Sequence, residues 1–146
     1  MADSVLARIE EARRTGNWRA FAEWIPYVRY LGLEVEVGEQ ELVTLMRFAP
    51  HLVGNASLPA LHGGTLGALL ESAAIFQLLR EAESAFIPKT ITITVDYLRP
   101  ARPVDTRARA IVTRQGRRVA NVRAEAWQED RDRPVALAFG HFLVTT

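Results

Sequence analysis

Between Leu66 and Leu79 only Glu71, Ser72 and Gln77 are polar, and Glu71 alone is ionisable. An ionised carboxylate buried there without a partner costs on the order of several kcal/mol. Nine positions earlier stands His62, followed by Gly63 and Gly64. Two glycines at a helix start bare backbone N–H groups, and a helix N-terminus attracts negative charge. A stabiliser of developing negative charge and a candidate base or nucleophile therefore share one helix. A lone Glu on an apolar helix is by itself commonly a snorkelling or locally paired surface residue, so the rest of the chain must carry the argument.

The surroundings of Glu71 favour chemistry. Gly67 and Ala68 lie one turn before it, Ala74 one turn after, and Gly64 two turns before. That stripe of small side chains leaves room for a substrate or for a second helix. Gly63 is eight residues from Glu71, about 12 Å along a helix axis. One reacting carbon cannot touch both groups of a single helix. Two antiparallel helices, Gly63 of one subunit facing Glu71 of the other, would solve this. A homodimer is the expectation if both groups act on one bond, with a dimer of dimers as a further possibility.

Stepping outward along the chain, residues 4–25 read as helix in two pieces. Gly16 stops the first, Asn17 caps the second, and Pro26 ends it. Leu33, Val35 and Val37 alternate with polar residues, and Gly38-Glu39-Gln40 turns the chain into Leu42–Phe48, a hairpin. Residues 49–61 hold two prolines, a glycine and an asparagine, and read as loop. The segment from about Gly63 to Glu81 is apolar nearly all round, the mark of a helix buried on every side. Residues 90–98 alternate with period two, which would put Thr90, Thr92, Thr94 and Asp96 on one face. Strands over 104–113, 119–127 and 135–145 follow. The order is helix, two strands, one long buried helix, four strands. It predicts an α+β hotdog fold, an antiparallel sheet wrapped around a central buried helix, with an N-terminal helical extension. The expected organisation is one domain over residues 1–146, the extension covering about 1–29 and the hotdog core about 30–146.

Composition narrows the functional classes. Hydrophobic residues make up 49% of the chain, enough for a core. A net charge of +1 gives no global case for nucleic acid. With no cysteine, disulfides, thiolate metal sites and a thiol nucleophile are excluded, which fits a cytoplasmic location. The acidic start Met1-Ala2-Asp3-Ser4 does not read as a signal peptide, and no apolar run is long enough for a membrane span. His51, His62 and His141 lack metal-ligand spacing, so no metal and no cofactor are expected. His62 reads as a residue that shapes the helix start or serves as a base. His51 sits in the proline-containing loop, where a histidine is surface or touches ligand. His141 alternates with Phe139 and Leu143 and reads as a satisfied sheet histidine.

Three motifs in order resemble one family. His62-Gly63-Gly64 with Glu71, then Asp96-Tyr97-Leu98-Arg99-Pro100-Ala101, then Gly116-Arg117-Arg118 are similar to the signature, strand end and hairpin tip of hotdog acyl-CoA thioesterases of the phenylacetate-pathway (PaaI) type. The resemblance covers about residues 30–145. It implies hydrolysis of an acyl- or aroyl-CoA to the acid and free CoA. Glu71 then matches the nucleophile or general base, and the Gly63 N–H matches the donor that polarises the thioester carbonyl. Thr90 falls at a hydroxyl position that orients water in some members. Asn55 lies one residue from a loop amide position of the family. Gly64 and His51 are further candidates for contact with substrate.

Eight arginines fall between Arg99 and Arg123, and guanidinium suits the phosphates of CoA. Arg102, Arg114, Arg117 and Arg118 lie at strand ends or the hairpin tip, where a nucleotide could rest. The competing reading is a solvated face with ion pairs to residues such as Glu125. Two rival functions stay open from the residues alone. A hotdog enoyl-CoA hydratase or dehydratase would pair a histidine with an acid, but His51 precedes Glu71 by twenty residues. A non-catalytic acyl-CoA-binding module would have no use for Glu71.

Overall fold

The computed structural model describes residues 2–145. Three helices open the chain: α1 (Ala2–Thr15), α2 (Trp18–Trp24) and α3 (Pro26–Leu31). Asn17 caps α2, its side-chain oxygen accepting the Ala20 N–H at 3.1 Å. Two helical pieces were expected, with Pro26 as terminator. Pro26 instead starts α3, because its fixed φ and missing N–H suit the first turn of a helix. Gly32, at φ 69°, ends α3 in the left-handed region that glycine tolerates.

The main sheet has six strands: β1 (Leu33–Val37), β2 (Leu42–Met46), β5 (Lys89–Tyr97), β6 (Thr106–Gln115), β7 (Val119–Trp127) and β8 (Ala136–Leu143). Its order is β1-β2-β6-β7-β8-β5, every neighbouring pair antiparallel. The stretch 49–61 is more than a loop. It holds a 3₁₀ turn (Pro50–Leu52) and a small antiparallel ribbon of β3 (Val53–Asn55) with β4 (Ala60–Leu61). Short strands of this kind lack the alternation by which sequence reveals a strand.

The long helix α4 (Gly63–Glu81) lies across the sheet and buries nine of its 19 residues, among them Leu69, Leu70, Phe76 and Leu79. A fully buried Leu or Phe contributes about 1.5–3 kcal/mol, so this one helix organises the core. Its buried polar residue Gln77 is satisfied, its side-chain oxygen accepting the Leu42 N–H at 3.0 Å. The N-terminal helices cover one flank of α4. Phe21 meets Trp18 and Phe76 edge-on, with ring centroids 6.0 and 6.3 Å apart. At the sheet margin away from β1, β5 is an edge strand, paired only with β8.

The even alternation expected along β5 is broken. The register steps from Thr90↔Phe142 to Thr92↔His141, which leaves Ile91 as a bulge. A bulge moves every later side chain to the opposite face. Thr90 therefore shares the inner face with Ile93 and Val95, opposite the fully buried Phe142. Thr92, Thr94 and Asp96 lie on the outer face, where the Thr92 hydroxyl meets His141 Nδ1 at 2.8 Å. The single-face grouping of Thr90 with Thr92, Thr94 and Asp96 is thus corrected, while His141 is a satisfied sheet histidine.

Candidate active site

The start of α4 is built so that one donor is left over. His62 is the N-cap, and its Nδ1 accepts the Gly64 N–H at 2.8 Å. The His62 carbonyl accepts the Thr65 hydroxyl at 2.6 Å and the Thr65 N–H at 3.0 Å. The Gly63 carbonyl accepts the Tyr97 hydroxyl at 2.8 Å. Among the described residues no acceptor takes the Gly63 N–H. A helix start normally leaves several donors open. Here the cap removes Gly64 and directs the open end of the turn to Gly63.

Both glycines have steric reasons to be glycine. A Cβ on Gly64 would stand 2.9 Å from His62 Nδ1, and one on Gly63 would stand 3.2 Å from the Tyr97 ring. The ribbon explains a third. A Cβ on Gly54 would lie 2.6 Å from His62 Cα, so β3 passes directly against the cap residue. Backbone bonds lock the assembly: His62 N–H to the Leu52 carbonyl at 2.8 Å and Leu61 N–H to the Ala101 carbonyl at 2.9 Å. Two motifs separated in sequence, His62-Gly63-Gly64 and Tyr97 to Ala101, therefore meet at one place.

They border an open groove of about 560 Å³ whose walls include Asn55, Leu58, Gly63, Leu66, Tyr97 and Arg99. Its lining is mostly apolar with the Gly63 turn in its wall, which suits an acyl or aryl group carrying one carbonyl to be polarised. Asn55 reaches this groove, but its side-chain oxygen is engaged by the Ser57 and Leu58 N–H groups at 2.9 and 3.2 Å. Its amide nitrogen is the group that faces no such duty.

Glu71 lies two turns along α4 and is half-buried. Among the described residues no ion pair or hydrogen bond involves its side chain. A Cβ at Gly67 would stand 3.8 Å from the Tyr97 hydroxyl and 3.9 Å from Val95 Cγ2, so Gly63 and Gly67 both face β5. The same i, i+4 row continues to Glu71. Helix spacing therefore places Glu71 on the same side of α4 as Gly63 and Gly67, the side that faces β5. Within one chain it remains about 12 Å along the axis from Gly63.

The other candidates scatter. His51 Nε2 lies 3.1 Å from the Tyr30 carbonyl with its ring against Tyr30, outside the groove. Arg102 pairs with Glu129 and borders a separate cleft that shares Arg99 and Pro100 with the groove. Arg114, Arg117 and Arg118 sit on the β6–β7 hairpin. Val119 and Lys89 both register with Leu143, so the tip lies at the far end of the sheet from Tyr97. Among the described residues no cluster of three or more His, Asp or Glu is placed to hold a metal. Tyr97 is a groove residue that the sequence reading did not single out, and its hydroxyl donates to the Gly63 carbonyl. It stood in a recognised motif, but only the fold puts its hydroxyl on Gly63.

An antiparallel sheet wrapped on one capped central helix, with an N–H left open beside a mostly apolar groove, is a hotdog fold with an arrangement able to polarise a carbonyl. The sequence profile of the thioesterase superfamily matches residues 58–135, just over half of the chain. The chain is 32% identical over 125 residues to the medium/long-chain acyl-CoA thioesterase YigI of Escherichia coli K12, covering 76% of this chain and 81% of that one. A Chromobacterium violaceum protein of known crystal structure is 39% identical, with a TM-score of 0.78 over 96% of this chain and 98% of its own. The E. coli PaaI protein from the phenylacetic acid degradation operon shares the fold at 22% identity, with a TM-score of 0.77 over 92% and 94% of the two chains. The chain belongs to the thioesterase superfamily and is a thioester hydrolase of the hotdog class. No helix among the described residues is long and apolar enough to cross a membrane.

Proposed function

We infer that this protein hydrolyses acyl-CoA thioesters to the carboxylic acid and CoA, and that it does so as a homodimer with sites shared between subunits. The observation that carries the reading is the unpaired Gly63 N–H in the wall of the apolar groove, in a chain 32% identical to an acyl-CoA thioesterase. The thioester oxygen accepts the Gly63 N–H, which stabilises the charge that develops as the carbonyl becomes tetrahedral. Glu71 of the partner subunit supplies the carboxylate, taking a proton from the attacking water or attacking the carbonyl itself. Collapse of the tetrahedral species expels the CoA thiolate, which takes up the proton that Glu71 removed from water; where Glu71 attacks directly, the mixed anhydride left on it is cleaved by water to the acid and the free carboxylate.

Turnover should be measured across short, medium, long and aromatic CoA esters. The groove's apolar wall and the likeness to YigI lead us to expect the highest kcat/KM on medium or long chains. Turnover of none of these esters would overturn the reading. The hydratase alternative has less support, because His51 is held against Tyr30 and lies outside the groove.

In this reading Thr90 orients the water. Its place on the inner face, beside Ile93 and Val95, supports the role, and Thr92 on the outer face supplies a matched control. Thr90→Val keeps the β-branched shape and removes the hydroxyl. Turnover should fall roughly ten- to a hundredfold, the scale of a lost hydrogen bond of about 1.5–3 kcal/mol. Thr92→Val should change it less than about twofold. An equal or larger loss from Thr92→Val would remove Thr90 from the mechanism.

A further inference from the structure

Two cationic donors have no acceptor in the fold. Arg13 Nη1 and Arg80 Nη1 are both closed off from solvent, and neither has a hydrogen-bond partner among the described residues. A buried donor left unpaired is costly, and a charged one more so. Several other arginines are answered by carboxylates: Arg107 by Glu36 at 2.8 Å, Arg109 by Glu125 at 2.6 Å, and Arg47 by Glu34 and Asp105. Among the described residues no carboxylate forms an ion pair with Arg13 or Arg80.

The two arginines reach one place from distant parts of the chain. Both border a cleft of about 510 Å³, together with Arg14, Gly16, Trp18 and Val37. Arg13 and Arg14 stand in the last turn of α1, and Arg80 in the last turn of α4. Arg80 is held by one bond, its Nη2 donating to the Glu39 carbonyl in the turn between β1 and β2. Arg14 meets only Glu11, at 3.7 Å and with both side chains largely exposed, so that pair does little to neutralise the cleft. Glu10, Glu39 and Glu81 make no ion pair with any of the three. Cations in a last helical turn offset the negative end of the helix dipole. That role works with the charge facing water. It does not explain why one nitrogen of each guanidinium is buried without an acceptor, or why three like charges converge.

An anion in the cleft answers both. A guanidinium rides on a long side chain with several rotors, so its orphaned edge turns onto an acceptor placed between the three. Its fork of N–H groups matches the oxygens of a phosphate or carboxylate. Three cations facing one another favour a doubly charged partner over a singly charged one. A phosphomonoester carries about that charge near neutral pH. We propose that Arg13, Arg14 and Arg80 form a binding site for a phosphate dianion, free or at the end of a small phosphorylated metabolite. The site is separate from the thioester groove. Arg80 is seventeen residues along α4 from Gly63, about 25 Å. Val37 belongs to β1, the sheet edge opposite β5.

Calorimetry at matched ionic strength tests it without any turnover, using inorganic phosphate, glycerol phosphate and acetate. The wild type should bind phosphate saturably and acetate at least tenfold more weakly. Tighter binding of glycerol phosphate than of phosphate assigns the site to a phosphorylated metabolite, and the reverse assigns it to the free ion. Arg13→Gln/Arg80→Gln should weaken phosphate at least tenfold. Arg117→Gln/Arg118→Gln, which removes exposed cations of the β6–β7 hairpin, should leave it within about twofold. Val37→Glu decides the matter if the double arginine variant fails to fold. Val37 is 52% exposed in the wall of the cleft, so the new carboxylate supplies the missing anion from within the chain. It should raise the melting temperature and weaken phosphate at least tenfold. No saturable phosphate binding by the wild type, or undiminished affinity in Val37→Glu or in folded Arg13→Gln/Arg80→Gln, overturns the site. Loss confined to the hairpin variant overturns it as well, and acetate bound as tightly as phosphate overturns the preference for a dianion.

Discussion

Glu71→Ala is expected to fold and to lose thioester hydrolysis by at least about three orders of magnitude. Each tenfold is about 1.36 kcal/mol of transition-state stabilisation, so the loss corresponds to about 4 kcal/mol or more. The reason lies in what surrounds the carboxylate. It shares an i, i+4 row with Gly63 and Gly67, which face β5, and no ion pair or hydrogen bond among the described residues involves its side chain. Removing a charge that holds no partner breaks no ion pair and relieves desolvation, so stability should be unchanged or slightly raised. Thermal unfolding and steady-state rates on the preferred CoA ester check both halves. Turnover within tenfold of wild type would remove Glu71 from the mechanism. A drop in melting temperature of many degrees would show that the carboxylate holds the fold.

Mixing two dead proteins should restore activity, and this is the second large effect. Gly63→Pro removes the open N–H, and the site accepts proline better than most. Gly63 is the first residue of α4, where proline is favoured, and His62 before it is extended at φ −66°, ψ 130°. The crowding falls on the Tyr97 ring, 3.2 Å from a Cβ at this position, so unfolding and dimer formation are checked alongside. The Gly63→Pro homodimer should be nearly inactive, as should the Glu71→Ala homodimer. In the heterodimer one site combines both defects and the other has neither. Each heterodimer should then show about half the wild-type rate. If Gly63 and Glu71 of the same chain served one site, every site would carry one defect and no activity would return. Failure of complementation in isolated heterodimers would therefore refute the cross-subunit site without touching the role of either residue.

Much of this protein is legible in its sequence. The helix over Gly63–Glu81, the hairpin of β1 and β2 and the later strands follow from hydrophobic periods of 3.6 and 2, which are local properties. Local too is the cap, since His62 and the two glycines touch each other through neighbours in the chain. The isolation of Glu71 among apolar residues was visible, as was its eight-residue distance from Gly63.

The groove was not legible, because contacts between distant segments make it. Tyr97 reaches Gly63 across 34 positions, and Leu61 pairs with Ala101 across 40. The β3–β4 ribbon beneath the cap carries no periodic signal, and its tight fit at Gly54 exists only once His62 is set against it. Pro26 could end one helix or begin another, and packing of α3 chose the second. The face of Thr90 turned on one extra residue at Ile91, whose presence depends on how β5 registers with β8. Helix period, strand period and capping are short-range and are written in adjacent side chains. Register, bulges and the approach of one backbone to another are settled by which distant surfaces bury together, and no single stretch of sequence holds that information.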